Sequence, residues 1–273
     1  MKILIAVALI VLFLIGAAVG VVFLLAPSES ALAVQEIAEP LNEAHTSSLD
    51  LDLAQGNLAI DSLTGGEPLL LGGTLEYYEN GGMPARSLSS MGGQTSFALS
   101  VGTDSRAHWR LPWEACNADN DWTLHLNPMV VYQISARTGG GNLNLDLSGL
   151  LVSRITAETG GGNAEIRLPA NAANLSAAVK TGAGKIVVEI GAGTKGQNSL
   201  AVENGAGSVE ILVPNGLAVK LVGTSGMGSI LVDPALVQTG EGTYQSTDYA
   251  TNENRTAIDV SNGAGSVSVQ MQQ

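Results

Sequence analysis

The residue types that most often carry catalysis or bind metal ions are few in this sequence and lie far apart. Its three histidines are His45, His108 and His125, and none has the H-x-x-x-H or H-E-x-x-H spacing that brings two imidazoles to one metal ion. No G-x-S-x-G nucleophile elbow occurs, and no Ser/His/Asp order is recognisable, although a triad is defined in space and not by order. We therefore predict no catalytic residue, no cofactor and no metal site, and we expect a protein that is not an enzyme.

One short acidic segment has the composition of a calcium loop. Asp119-Asn120-Asp121 places two carboxylates near Glu114. The glycine and the distal glutamate of an EF-hand loop are missing, however. We therefore expect a solvated turn here, in which the short polar side chains bond to their own backbone.

Three glutamates, Glu158, Glu189 and Glu210, occupy outward positions of the repeats described below and could form a row of carboxylates. A hydrolase would need two such carboxyl groups about 5–10 Å apart in a groove. A solvated ladder of charges on exposed strands is the favoured interpretation.

The glycine runs resemble two kinds of ligand-binding loop, and both interpretations fail. In the calcium-binding nonapeptide the fourth and sixth positions are Gly and Asp, whereas Asn142 and Asn144 stand there. The GAGK after Thr181 lacks the G-x-x-x-x-G-K-[ST] spacing of a phosphate loop and lies between two strand patterns.

A glycine phrase recurs six times beyond Met129, in the forms GGGNLNLDL, GGGNAEIRL, GAGKIVVEI, GAGSVEILV, GMGSILVD and GAGSVSVQM. The first glycines are separated by 21, 22, 23, 21 and 37 residues, so the last interval contains an insertion. A period of about 20–25 residues indicates a repeat architecture. The predicted turn glycines are Gly139 and Gly141, Gly160 and Gly162, Gly182 and Gly184, Gly205 and Gly207, Gly226 and Gly228, and Gly263 and Gly265.

The residues around each G-x-G predict two strands and two turns per repeat. After the first phrase, Leu143 and Leu145 alternate with polar residues, which places the aliphatic side chains on one face of a strand. A second apolar stretch precedes each following turn. Because the middle residue of the G-x-G is Gly or Ala, with Met once, we expect the turns to stack too closely for a larger side chain at that position.

The predicted fold class is all-β: a solenoid-like stack of two-strand repeats with two facing sheets, preceded by one transmembrane helix. One repeat cannot bury its own apolar face, whereas stacked repeats can. An antiparallel sandwich of the same strands would give a similar sequence, so the pairing direction stays open.

The amino-terminal segment predicts a membrane anchor. Residues 3–26 are an apolar run, which as a helix would reach about 36 Å and cross a hydrocarbon core of about 30 Å. Ten acidic residues and no basic residue lie between Pro27 and Ala85, so the positive-inside rule predicts a cytoplasmic amino terminus and an external β region. A cleaved signal peptide, with Ala31-Leu32-Ala33 as its cleavage site, is the alternative.

The remaining divisions follow from composition. We predict an anchor at residues 1–26, a spacer at 27–44, an amino-terminal β subregion at 45–128 and the glycine-punctuated repeats at 129–273. The subregion contains Trp109, Trp113 and Trp122, which we expect to cap one end of the stack.

Charge and cysteine content exclude several partners. The formal net charge is −13, and no run of Lys or Arg could replace counterions on nucleic acid. An acidic surface is also repelled by anionic lipid headgroups. The one cysteine, Cys116, can form neither an intrachain disulfide nor a thiolate cluster, and we expect it to be buried and inert.

The order of the phrases resembles a known family. A GNLAI turn is followed by TLHLNP after Trp122, then by the G-x-G strands with DLSGL, and finally by QSTDY after Tyr244 and by IDVSNGAGSVSV. Over roughly residues 46–271 the chain looks like the toast-rack, LiaF-like domains of bacterial envelope proteins. Those are relatives of regulators that answer cell-wall-active antibiotics and of adhesin-like domains. The resemblance supplies no catalytic residues.

The resulting prediction is a non-enzymatic, membrane-anchored, extracytoplasmic β-repeat module for surface interaction or envelope-stress response. Its expected contacts are the bilayer, through residues 3–26, and an envelope protein or the cell wall. The alternative is a regulatory partner of a membrane sensor kinase. The antibiotic-response regulators carry several membrane helices, however, and this chain has one apolar run, so that role transfers poorly.

Overall fold

The computed structural model describes residues 31–66, 68–79, 82–101 and 120–272, and within them the protein is all-β, as predicted. Seventeen strands form one strongly curled, mixed sheet. The first nine strands are β1 Leu32–Pro40, β2 Thr46–Leu53, β3 Gly56–Ser62, β4 Leu69–Tyr78, β5 Ala85–Met91, β6 Gln94–Ser100, β7 Asn120–Leu126, β8 Val131–Thr138 and β9 Leu143–Asp146. The remaining eight are β10 Leu151–Gly161, β11 Ala164–Arg167, β12 Ser176–Glu189, β13 Gln197–Pro214, β14 Ala218–Val232, β15 Val237–Gly240, β16 Thr243–Gln245 and β17 Arg255–Gln272.

The middle of the sheet is built from units that we call coils. A coil runs along one strand stretch, bends at its G-x-G and continues along a second stretch; β8 and β9 form one coil, and β13 forms another without interruption. Neighbouring coils pair in parallel and in register, so that Thr138 lies beside Thr159, and Thr159 lies beside Thr181. The pairing direction that the sequence left open is therefore parallel between coils.

The coils do not stack in the order of the sequence. β17 lies between β13 and β14, and the strands β6 and β7 lie beyond the coil of β2 and β3. The stack therefore runs through β6 with β7, β2 with β3, β8 with β9, β10 with β11, and then β12, β13, β17 and β14.

Antiparallel strands close the two ends of the stack. At one end β4 pairs with β7, β1 pairs with β4, and β5 pairs with β6. At the other end β16 pairs with β14, and β15 pairs with β16. These last two strands lie in the insertion that the 37-residue interval predicts.

The alternating patterns produce a continuous aliphatic core inside the curl. Leu145 and Ile166, for example, are neighbours in adjacent coils, and both are fully buried. Aromatic side chains contribute to the core near the end formed by β6 and β7, where Phe97, Trp122 and Tyr132 are buried. The Tyr132 hydroxyl donates a hydrogen bond of 2.9 Å to the backbone oxygen of Leu70, and burial raises the pKa of this phenol.

The structure differs from the expectations at the spacer, in the number of sheets and at residue 128. The spacer prediction is wrong for residues 32–40, because their alternating side chains form β1 and pair with β4. The two predicted facing sheets are one sheet, since strands such as β13 continue through the bend. Pairing of β2 and β3 with β8 and β9 makes the sheet continuous across residue 128.

The predicted anchor at residues 3–26 lies outside the described residues, as do Cys116, His108 and the first two of the three tryptophans. In the parts of the chain that the structure does describe, no helix is long and apolar enough to cross a membrane.

Candidate interaction surface

The G-x-G bends form a glycine corner that runs along the stack. The first glycines are crowded by the next coil: a Cβ on Gly160 would lie 2.3 Å from the carbonyl oxygen of Gly139, and one on Gly182 would lie 2.3 Å from that of Gly160. The same relation holds along the column that contains Gly139, Gly160, Gly182, Gly205, Gly263 and Gly226.

The third glycines of the corner are still more restricted. At Gly184 a Cβ would lie 1.9 Å from the carbonyl oxygen of Gly162, and the backbone has φ of +147°, which side chains rarely allow. Their column contains Gly141, Gly162, Gly184, Gly207, Gly265 and Gly228. Two columns of glycine therefore let the backbones of successive coils meet.

The middle positions of the corner are open, which corrects the expectation from sequence. A Cβ on Gly161 would meet no atom within 4 Å, and Ala183 and Met227 are exposed. The crowding therefore acts on the flanking glycines, and the small middle residues are not required by the neighbouring coil.

Polar side chains line the inner side of the glycine corner. The Thr138 hydroxyl donates to the Gly56 oxygen at 3.0 Å, and the Thr159 hydroxyl donates to the Gly141 oxygen at 2.9 Å. Thr181 continues this buried line, but its hydroxyl has no hydrogen-bond partner among the described residues. Thr138 and Thr159 thereby satisfy backbone acceptors at the bend.

On the outer side of the corner, asparagines link one coil to the next. The Oδ1 of Asn57 accepts from the backbone N–H of Asn142 at 2.9 Å, and that of Asn142 accepts from the N–H of Asn163 at 3.0 Å. The Oδ1 of Asn163 accepts in turn from the N–H of Lys185 at 3.0 Å. Asn142 therefore links the coils on both of its sides through hydrogen bonds.

The three glutamates that could have formed a row of carboxylates lie on different rows, and each faces a cation of a neighbouring coil. Glu158 lies 3.5 Å from the Arg137 guanidinium. Glu189 and Glu210 lie on other rows, 3.3 Å from Arg167 and 2.8 Å from Lys185. Opposite charges on adjacent strands attract, so these pairs stabilise the contact between coils.

The other candidate polar residues hold strands together. His125 Nδ1 contacts the Asp61 carboxylate on the neighbouring strand, and Asn57 Nδ2 donates to Asp121 at 2.7 Å. The turn expected at residues 119–121 is wrong for Asn120 and Asp121, which belong to β7. Over the described ranges no three His, Cys, Asp or Glu side chains are grouped as metal ligands.

An open polar depression of about 500 Å³ lies beside the last coils. Its lining includes Asn174, Gln197, Thr251, Glu253 and Arg255. The Arg255 guanidinium lies over the Tyr249 ring, 5.8 Å from its centroid. The two N-x-[ST] tripeptides of the sequence begin at Asn174 and Asn254, close to this depression.

The outer edge of β14 exposes large apolar side chains beside the glycine corner. Met227 is 76% exposed and Leu231 is 68% exposed. Ile230 and Val232 point toward the core but are only partly covered. No sequence pattern had marked this edge, although Met227 is the one large residue at the middle of a G-x-G and could have done so.

Stacked coils, paired glycine columns and outward polar ladders define a protein built from stacked β-coils. The chain belongs to the toast-rack family: residues 28–189 match the family described as the N-terminal domain of toast_rack, DUF2154. The resemblance inferred from the ordered phrases is thereby confirmed. A comparison with curated proteins gave no match.

A solved structure shows the same fold. A protein of Clostridium sporogenes ATCC 15579, provisionally named a cell adhesion protein, aligns with a TM-score of 0.63 at 18% identity, over 89% of this chain and 100% of that chain. A provisionally named adhesin of Bacteroides fragilis NCTC 9343 aligns with a TM-score of 0.30 at 11% identity, over 89% of this chain and 99% of that chain. The first likeness shows the fold alone, and the second is too low to support an argument.

Proposed function

We propose that this protein is a non-enzymatic scaffold for surface interaction, tethered to the cell membrane by residues 3–26 and exposed outside the cell. The stack of two-strand coils serves as a solenoid-like spacer whose faces carry polar ladders. Toast-rack family membership supports this proposal, and the fold is that of a protein whose name refers to cell adhesion.

The polarity of the stack is the observation that carries the proposal. β1, the first described strand, lies at one end of the sheet, and β14 lies at the other. A tether that precedes β1 would hold that end close to the membrane. The exposed apolar residues Met227 and Leu231 would then face away from the cell.

The electrostatics agree with an interaction partner other than lipid or nucleic acid. The net charge is −13, and the described carboxylates of the coil faces alternate with Arg137, Arg167, Lys180 and Lys185. Anionic surfaces are repelled by such a chain, whereas a protein or a neutral glycan is not. The expected partner is therefore an envelope protein or a cell-wall component.

The first experiment tests the tether and its orientation. Cells that express the full chain are fractionated, intact cells are treated with external protease, and the amino terminus of the recovered protein is sequenced. The proposal expects membrane recovery, an intact amino-terminal segment and digestion of the β region from outside. Recovery in a soluble, truncated form would contradict the anchor.

The second experiment tests surface interaction. Adherence of expressing cells to one another and to cell-wall preparations is compared with that of cells without the gene, and with cells that carry Gly184→Ala, which we expect to disrupt the stack. Adherence that depends on the folded chain supports the proposal. Unchanged adherence, together with stable co-purification of a sensor kinase, would favour the regulatory alternative instead.

A further inference from the structure

The second half of β14 is an unpaired strand edge. Residues 224–232 pair on one side with β17, and no strand of the described ranges pairs with the other side. The strands β15 and β16 extend the sheet beside residues 220–222 and do not reach further along β14. A row of backbone N–H and C=O groups therefore faces outward, ready to add another strand.

This edge lacks the features that prevent strand addition elsewhere in the molecule. Exposed edges are normally protected by charge, proline or short length. The edge of β1 carries Glu36 and Pro40, β5 carries Arg86, and β15 has four residues. From Leu221 to Val232 the sequence has neither a charged residue nor a proline.

The edge is complementary to itself. Met227, Ser229 and Leu231 alternate on its outward face, and Gly228 and Ile230 alternate with them. An antiparallel pair with a two-fold axis at Ser229 places each Met227 opposite Leu231 of the second copy. It also places each Ile230 opposite a glycine, which leaves room for the larger side chain. Such directly opposed apolar pairs are the stabilising unit of a sheet.

The self-complementary register favours a second copy as the occupant of the edge, and the absence of charge there lets it approach. Each chain carries a net charge of −13, so two copies repel when their charged faces approach. At the uncharged edge the two copies meet without like charges facing each other. It also covers Ile230 and Val232, which the coil leaves partly exposed although their neighbours Val267 and Val269 are buried.

We propose that the outer edge of β14 pairs antiparallel with the same edge of a second copy, around a two-fold axis at Ser229. From β1 to β14 this side of the sheet has ten strands, which span roughly 43 Å at about 4.8 Å per step. Pairing through β14 places the two β1 ends at opposite ends of the dimer. If the tether proposed above is correct, the dimer joins two facing membranes, and the protein is a homophilic adhesin.

A disulfide trap tests the geometry. The full chain is purified in detergent with Cys116→Ser, and Ser229→Cys is added. Directly opposed residues of an antiparallel pair lie about 4.5–5.5 Å apart between Cα atoms, within disulfide range. We expect a covalent dimer under mild oxidation. The matched control is Ser266→Cys, which stands on the same outward row one strand inward and is also exposed. Equal cross-linking of both variants, or none at Ser229, would overturn the proposal.

A charge substitution tests the pairing without a covalent bond. Leu231→Lys brings two ammonium groups into the edge of each dimer, and every contact occurs twice, so we expect self-association to weaken at least about tenfold in analytical ultracentrifugation. Met129→Lys, at an exposed turn away from the edge, is the control and should leave association unchanged. An unmodified chain that sediments as a monomer at every concentration would overturn the proposal.

Vesicle clustering separates this inference from the proposed function. The full chain is reconstituted into neutral phosphatidylcholine vesicles, whose clustering is followed by light scattering. Clustering that Leu231→Lys abolishes supports homophilic pairing, even if expressing cells fail to adhere. Absence of clustering while cells still adhere to cell-wall preparations overturns the pairing and leaves the surface-interaction proposal in place.

Discussion

The middle coils and the last coil contain the same G-x-G phrase in different surroundings. In the middle, Gly184 touches the backbone of Gly162 on one side and is touched by Gly207 on the other. In the last coil, Gly228 touches Gly265, and no described coil lies beyond it. The comparison teaches that the glycine requirement is set by the neighbouring backbone, so an identical motif has a structural role that depends on its place in the stack.

The middle residue of the corner differs from the flanking glycines, because the neighbouring coil does not crowd it. Ala183, Ala206 and Ala264 lie beside one another in adjacent coils, and Met227 follows Ala264 at the end. A Cβ on Gly161 would meet no atom within 4 Å. The neighbouring backbone therefore restricts the flanking glycines and not the size of the middle residue.

Gly184→Ala is expected to have the largest effect on stability. Its Cβ would lie 1.9 Å from a backbone oxygen at a φ of +147°, so steric overlap and backbone strain add, and we expect a loss of at least about 3 kcal/mol. Gly161→Ala is the matched control, because its Cβ meets nothing within 4 Å, and its loss should stay below about 1 kcal/mol. Urea unfolding followed by circular dichroism measures both, and equal losses would contradict the role of the glycine columns.

Ile186→Ala and Ile230→Ala compare the same core row in a middle coil and in the last coil. Ile186 is fully buried, so its truncation leaves a cavity, with an expected loss of about 2–4 kcal/mol. Ile230 is partly exposed and its site is open to water, so we expect about 1 kcal/mol or less. The same unfolding measurement in the monomeric Leu231→Lys background excludes any contribution from self-association. A larger loss at Ile230 would show that the edge is covered in the monomer.

Arg86→Ala tests how the opposite end of the stack is closed. The Arg86 guanidinium lies 2.9 Å from the carboxylate of Glu39, which is buried, and thereby joins β5 to β1. Removal of the arginine leaves a buried charge without its partner, with an expected loss of about 1–3 kcal/mol in thermal unfolding. Adding Glu39→Gln should recover part of that loss, because the neutral amide is less costly to bury. Failure of the second substitution to recover stability would assign the effect to packing of the arginine.

The local features of the fold could be predicted from the sequence, whereas the order of the coils could not. The glycine phrases and the alternation that follows them are local, and they predict the bends and strands directly. The phrases after Asn204 and Asn262, GAGSVEILV and GAGSVSVQM, share their first five residues, so the corner itself does not decide which of them takes the next position in the stack. β17 takes the place beside β13, and this choice depends on long-range contacts that no local pattern contains.

The polar surface was predictable in composition and not in pairing. Glu189 was expected on a solvated ladder of charges, and the structure shows that Arg167 contacts it and also reaches Asp146 at 3.4 Å and Glu165 at 3.6 Å. These four residues come from three coils, so their proximity follows from the register between coils. Sequence patterns specify which face a residue occupies, whereas the register decides which charges meet.

The smallest predicted effect is on how the free energy of unfolding changes at acidic pH, and it concerns a carboxylate in a middle coil. The pKa of Asp146 is held below its usual value, chiefly by a hydrogen bond from the Ser148 hydroxyl and also by Arg167. A carboxyl group whose pKa is lowered on folding adds stability above its unfolded pKa of about 3.9, and that stability is lost as the pH falls through the folded pKa. Ser148→Ala should therefore lower stability near pH 6 by less than about 1 kcal/mol, because the pair is partly exposed. The difference from the unmodified protein should shrink below about pH 3.

Asp248, a carboxylate outside the coils, is the control for the pH dependence predicted at Asp146. The pKa of Asp248 is also lowered, chiefly by Asn252, but this pair lies in the exposed segment between β16 and β17. Local opening of such a segment does not require the stack to unfold, so Asn252→Ala should leave the global unfolding midpoint nearly unchanged at every pH. Ser208→Ala, an outward serine of a middle coil, should shift the midpoint equally from pH 3 to pH 6. If Asn252→Ala reproduces the pH dependence of Ser148→Ala, then the segment unfolds together with the coils, and the proposed division between stack and insertion is wrong.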